Sequence, residues 1–121
     1  MRILLIALIS VLLSVAAQFT LKAGMGSEAV RSALAQPMGL RSAFAILGNG
    51  MVLSGFALYG LGAIIWLAVL AHWDVSKAYP LVGLGFVLTL VIGLAAGEHV
   101  STVRAAGVLL IAVGVYLVSR T

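Results

Sequence analysis

"ILLIALISVLLSVAAQFTLKAG" (residues 3–24) decides the architecture, because one helix-length segment carries both an oily run and a polar pattern. From Ile3 to Leu21 there is no charge. Roughly 20 apolar residues in a helix cross about 30 Å of hydrocarbon. Within and just beyond that run, Ser10, Ser14, Gln18 and Lys22 recur one helical turn apart. Successive i, i+4 positions advance only about 40° around a helix, so the four side chains form one slanted polar stripe. Ordinary helix packing accounts for each of them singly: Ser bonds a carbonyl, Gln bridges to a neighbouring helix, Lys snorkels. Aligned together, they read as the wall of a polar cavity that runs from mid-membrane to the surface. Lys22 at its mouth suits a phosphate or carboxylate as a point charge.

The rest of the chain agrees with a membrane setting. Of 121 residues, 64% are hydrophobic and 8% charged, and the mean hydropathy is +1.27, values that belong to the membrane class rather than to a soluble domain. The seven basic and three acidic residues leave uncharged runs at 3–21, 42–73, 78–97 and 105–119. The fourth is long enough only if its helix begins near Ser101 and Arg104 snorkels. These runs predict four transmembrane helices over about 3–22, 45–71, 78–97 and 101–119, in one domain spanning 1–121. Runs such as "GAIIWLAVL" (62–70) do not alternate, which excludes a β-barrel. A cleaved signal peptide, with Arg2 as its basic region and "SVAA" (14–17) as its cleavage site, fits less well. Its apolar stretch is long, and more membrane protein follows it.

Several function classes fall away. There is no Cys, hence no disulfide framework and no thiolate metal site. His72 and His99 are expected on opposite sides of the membrane, so no metal is expected. The acids Glu28, Asp74 and Glu98 all fall at the surface, with no embedded carboxylate and no phosphate loop, so neither a catalytic constellation nor a cofactor is expected. The net charge of +4 comes from Lys and Arg at helix ends, where interfacial anchors belong, and does not point to nucleic acid. Arg2, Lys77 and Arg120 share one side and Lys22, Arg31, Arg41 and Arg104 the other. So even a distribution selects no orientation, and suits insertion in both directions or pairing with an inverted partner.

The connections carry their own signals. In "AGMGSEAVRSALAQPMGLRSA" (23–43), Ser27 can cap a short interfacial helix over 28–36, with Val30 and Leu34 on one face and Pro37 ending it. In "HWDVSKAYP" (72–80), Trp73 and Tyr79 look like aromatic-belt residues, and Tyr79 could equally line a cavity. Tyr79 and Pro80 are expected to open the third helix, where Pro is comfortable in the first turn. Trp66 is most simply a packing or interfacial residue. "GEHVST" (97–102) is short enough to force an antiparallel hairpin; Glu98 there is expected to serve the turn and the dipole of the fourth helix. Glycines recur at Gly48, Gly55 and Gly62, at Gly93 and Gly97 as GxxxG, and at Gly107 and Gly114, letting backbones approach closely. Four helices are too few to enclose a solute pathway, so a second subunit is expected, with Gly107 and Gly114 at the dimer interface.

"LLSVAAQFTLKAG" (12–24), "IWLAVLAHWDVSKAYPLVGLGFV" (65–87), "GEHVSTVRAAG" (97–107) and "GVLLIAVGV" (107–115) together resemble the small multidrug resistance fold of the drug/metabolite transporter superfamily. The likeness is strongest to flippase subunits for undecaprenyl-phosphate aminoarabinose. The resemblance implies an all-α integral membrane protein of four helices, working as a dimer in the bacterial inner membrane. Its partners would be a polyprenyl-phosphate-linked sugar, membrane lipid, and either a second copy or a related small membrane protein. Multidrug members carry an embedded Glu in the first helix; aligning on "TLK" (20–22) puts Ser14 there. That departure fits a substrate bringing its own negative charge, with Ser14, Gln18, Lys22 and Tyr79 as its binding residues. A small-cation exporter and a non-transporting partner subunit are the alternatives.

Overall fold

The computed structural model describes residues 2–37 and 39–121. α1 (Arg2–Met25) is followed by α2 (Glu28–Leu34), α3 (Leu40–Leu47), α4 (Gly50–Leu70) and α5 (Val75–Ala78). A 3₁₀ turn (Tyr79–Val82), α6 (Gly83–Ala95) and α7 (Thr102–Ser119) complete the chain. α1, α4, the combined segment Val75–Ala95, and α7 are each long and apolar enough to cross a membrane. Large apolar side chains such as Leu12, Leu53, Ile64, Leu67 and Leu110 are exposed along these spans, as a lipid solvent requires. The chain is an all-α, four-span membrane protein.

α1 and α4 form the tightest pair, and glycine makes it possible. A Cβ at Gly55 would lie 2.6 Å from Leu21 Cγ, and one at Gly24 would lie 2.8 Å from Val52 Cγ2. Further along the same pair, Ser10 Oγ donates a 2.6 Å hydrogen bond to the Gly62 carbonyl. With no hydrophobic drive between helices in lipid, such close contact and interhelical hydrogen bonds hold the pair together. At the Arg2 end, Ala7, Val69, Ala78, Leu81 and Val115 form a buried cluster on which Trp66 and Trp73 pack. α7 is the least enclosed span, with 6% of its apolar window buried against 22–28% in the other three.

The structure corrects several expectations. The predicted helix over 45–71 is two helices, broken at Gly48 and Asn49. Asn49 turns its side-chain oxygen to the backbone N–H groups of Met51 (3.0 Å) and Val52 (3.2 Å), an N-cap that starts α4 afresh. Gly48 therefore lies outside the spanning helix, and only Gly55 and Gly62 face α1. The third span begins at Val75, before Tyr79 and Pro80, and these two sit inside it where the helix tightens to 3₁₀. Proline lacks the N–H that an α-helical bond at that point would need. α2 is capped by Ser27 Oγ, which accepts from Val30 N at 3.4 Å. It buries Val30 completely, yet Leu34 remains exposed. Gly97 is no helix-contact residue: its φ of +86° ends α6 in the left-handed region that glycine tolerates.

Candidate functional site

Two adjoining cavities follow α1. The larger, about 630 Å³, is bounded by Ser14, Gln18, Tyr59, Trp66, Tyr79 and Thr89, among others. The second, about 420 Å³, lies nearer the C-terminal end of α1 and is lined by Gln18, Lys22, Thr89, Glu98 and Arg104. Both volumes fall in the ordinary range for small-molecule sites. Gln18, Phe86 and Thr89 line both, so one side chain of the stripe stands where the two meet.

The four expected binding residues thus divide. Ser14, Gln18 and Tyr79 border the larger cavity, Gln18 and Lys22 the smaller, and Tyr79 and Lys22 share neither. Ser14 and Lys22 are about 12 Å apart along the helix, at 1.5 Å per residue. Ser10 departs from the expected stripe, because it is buried and its hydroxyl is committed to Gly62. Thr20, off the stripe, bonds the Ala16 carbonyl of its own helix at 2.8 Å. Of the α1 stripe, the polar groups left free to face the cavities are therefore Ser14, Gln18 and Lys22.

The sequence reading gave Glu98 to the turn and Arg104 to the interface rather than to the site, and local geometry explains how they come to line the smaller cavity. α6 ends on a Schellman turn: Gly97 N–H bonds Leu94 O at 3.1 Å and Glu98 N–H bonds Gly93 O at 2.8 Å. The turn folds Glu98 back over Gly93, where a Cβ would lie 3.2 Å from Oε1. The carboxylate then meets Lys22, Nζ to Oε2 at 3.1 Å. It does not serve the N-terminus of α7, which is capped by Ser101 Oγ accepting from Arg104 N at 3.1 Å. Arg104 donates to the His99 carbonyl at 3.0 Å, which ties its guanidinium to the α6–α7 turn. The signal was present as a glycine at the end of an apolar run with an acid directly after it. Its partner, 76 residues away, was not readable. The Lys22 and Glu98 side chains are 67% and 36% exposed, so this is a weak, exchangeable ion pair of about 0–1 kcal/mol.

Among the described residues, the lining of the larger cavity holds no charged side chain, and Glu98 is the sole acid lining the smaller. The arrangement is a largely apolar, uncharged chamber, dotted with Ser14, Gln18, Tyr59, Tyr79 and Thr89, that adjoins at Gln18 a second cavity lined by two cations and one anion.

No protein-family profile matches the chain, and neither does any solved structure. Curated relatives do. A protein of Pectobacterium atrosepticum named as a probable 4-amino-4-deoxy-L-arabinose-phosphoundecaprenol flippase subunit ArnE is 39% identical over 69 residues, covering 56% of this chain and 61% of the relative. A subunit ArnE of Pseudomonas fluorescens, with the same full name, is 38% identical over 93 residues, 76% of this chain and 79% of its own. A subunit ArnF of Photorhabdus laumondii is 38% identical over 72 residues, 57% of each chain. The chain thus spans less than two thirds of the Pectobacterium and Photorhabdus relatives. None of these names describes an enzyme. With four apolar spans and relatives of this kind, the protein is a multi-pass protein of the bacterial inner membrane. The extent of the match to the Pseudomonas fluorescens subunit is decisive: the chain belongs to the family of 4-amino-4-deoxy-L-arabinose-phosphoundecaprenol flippase subunits.

Proposed function

We propose that this chain is a subunit of a flippase that moves an undecaprenyl-phosphate-linked monosaccharide, aminoarabinose by the names of its relatives, across the inner membrane. The observation that carries this reading is the pair of cavities meeting at Gln18, one uncharged and largely apolar with a few hydroxyl and amide groups, the other lined by Lys22 and Arg104. Lys22 attracts the lipid phosphate, Gln18 hydrogen-bonds the head group as it passes, and Ser14 offers a hydroxyl in the otherwise largely apolar inner chamber. Tyr79, exposed where the third span tightens to 3₁₀, offers a ring face to the sugar. The absence of an acid from the inner chamber favours a substrate that brings its own anion over a proton-coupled cation.

Fluorescence titration of Trp66 and Trp73 in nanodiscs, followed by translocation in proteoliposomes, tests the proposal. Undecaprenyl phosphate and its aminoarabinose derivative are expected to bind saturably, and the latter to be translocated. Binding of a quaternary ammonium compound alone would instead make the protein a cation exporter. Activity appearing only with another subunit, and no lipid affinity without it, would make it a partner subunit.

The functional unit is proposed to be a dimer, with a second copy or with a related subunit, through the open face of α7. Nothing lies within 4 Å of a Cβ placed at Gly107 or Gly114, which are two turns apart on one side of that helix. A Gly107→Leu, Gly114→Leu double variant is expected to weaken association at least about tenfold by blocking close backbone approach. Cross-linking against dilution in detergent measures this, and an unchanged dimer fraction would move the interface elsewhere.

A further inference from the structure

We infer that the Lys22–Glu98 ion pair is a reader of zwitterionic head groups, in which Glu98 selects the ammonium of an amino sugar while Lys22 and Arg104 hold its phosphate. The inference rests on the flippase reading and adds to it a basis for discriminating charged from uncharged sugars. 4-Amino-4-deoxy-L-arabinose joined to a polyprenyl phosphate carries an aliphatic amine, cationic near neutral pH, and an anionic phosphodiester a few bonds away. The smaller cavity presents the opposite arrangement: two cations, Lys22 and Arg104, and one carboxylate, Glu98.

Three features suit Glu98 to this task. The Schellman turn at Gly97 fixes its backbone, and Gly93 leaves room for its carboxylate against α6. Among the described residues, Lys22 is its one side-chain partner, at 3.1 Å. Both groups remain solvent-accessible, so a ligand can open the pair at small cost. An arriving zwitterion then replaces one internal ion pair with two: phosphate to Lys22, with Arg104 alongside, and ammonium to Glu98. A neutral sugar phosphate would take Lys22 from Glu98 and leave the carboxylate without a counter-ion. That difference separates an amino sugar from its uncharged analogue. Opening the pair also releases the tie between the end of α1 and the α6–α7 turn.

The test compares three lipids on the protein purified in nanodiscs with any co-purifying subunit: the aminoarabinose lipid, its N-acetyl derivative, which lacks the ammonium, and undecaprenyl phosphate. Wild type is expected to bind the amine-bearing lipid about tenfold or more tighter than the N-acetyl form, the scale of one charge-assisted hydrogen bond. Glu98→Gln is expected to abolish that preference while binding undecaprenyl phosphate at least as well, since Lys22 is freed. Glu98→Asp, which keeps the charge, is expected to retain part of the preference. Lys22→Ala is expected to weaken all three lipids. Equal weakening of all three by Glu98→Gln would mean a merely structural carboxylate and overturn the inference. So would wild type that binds the lipids without preferring the amine, leaving the flippase reading standing. If wild type binds no lipid, both fall.

Discussion

Gly62→Val is expected to destabilise the protein by about 1–3 kcal/mol, with less folded, monodisperse protein recovered from membranes. The first carbon of any side chain at this position would lie 3.2 Å from the Ser10 carbonyl oxygen and 3.4 Å from Leu13 Cβ. Neither atom can rotate away, because one is helix backbone and the other is fixed to it. α1 must therefore move away from α4 by a few tenths of an ångström, and more for the valine methyls, which strains the 2.6 Å bond from Ser10 to the Gly62 carbonyl. Overpacking of this kind costs about 1–3 kcal/mol. An interhelical hydrogen bond in a membrane adds about 0.6 kcal/mol on average. Gly60→Val, on the same helix and with the same change in helix propensity, is the control, since nothing lies within 4 Å of its Cβ position. Thermal melts in detergent measure both variants. Equal losses at the two positions would show that valine in α4, not the α1 contact, is responsible.

Gln18→Leu and Lys22→Ala are each expected to lower translocation of the aminoarabinose lipid by about 10- to 100-fold, with folding preserved. Each loses a hydrogen bond to a charged head group, worth about 1.5–3 kcal/mol, and every 1.4 kcal/mol is about a factor of ten. Both side chains are exposed, and the Lys22–Glu98 pair adds little to stability, so melting temperatures should barely move. Thr20→Val, next to the stripe but self-bonded within α1, should behave as wild type. Translocation in proteoliposomes gives the answer. Full activity in both variants would remove the stripe from the mechanism, whereas loss in Gln18→Leu alone would confine the head group to the larger cavity.

Much of this molecule was legible from residue order, and the places where it was not share a cause. Helix starts at Ser27 and Ser101 and the long apolar runs depend on neighbours in sequence, so their chemistry could be read directly. Tyr79 and Pro80 misled because proline is at home in a first turn, and only the contacts made by Val75–Ala78 show that the helix has already begun. Gly97 misled through its spacing from Gly93: the same interval serves helix contact or a helix end, and φ decides between them. Ser10 had the right spacing for the stripe, but the carbonyl it bonds belongs to another helix.

Membrane insertion, the number of spans and the polar line along the first helix follow from composition and helical periodicity, because transfer into hydrocarbon is decided segment by segment. The division of that line into two cavities, the commitment of Ser10 to Gly62 and the meeting of Lys22 with Glu98 came from the packed helices alone. Those contacts join residues 52 and 76 positions apart, and their existence depends on which glycines let which helices touch.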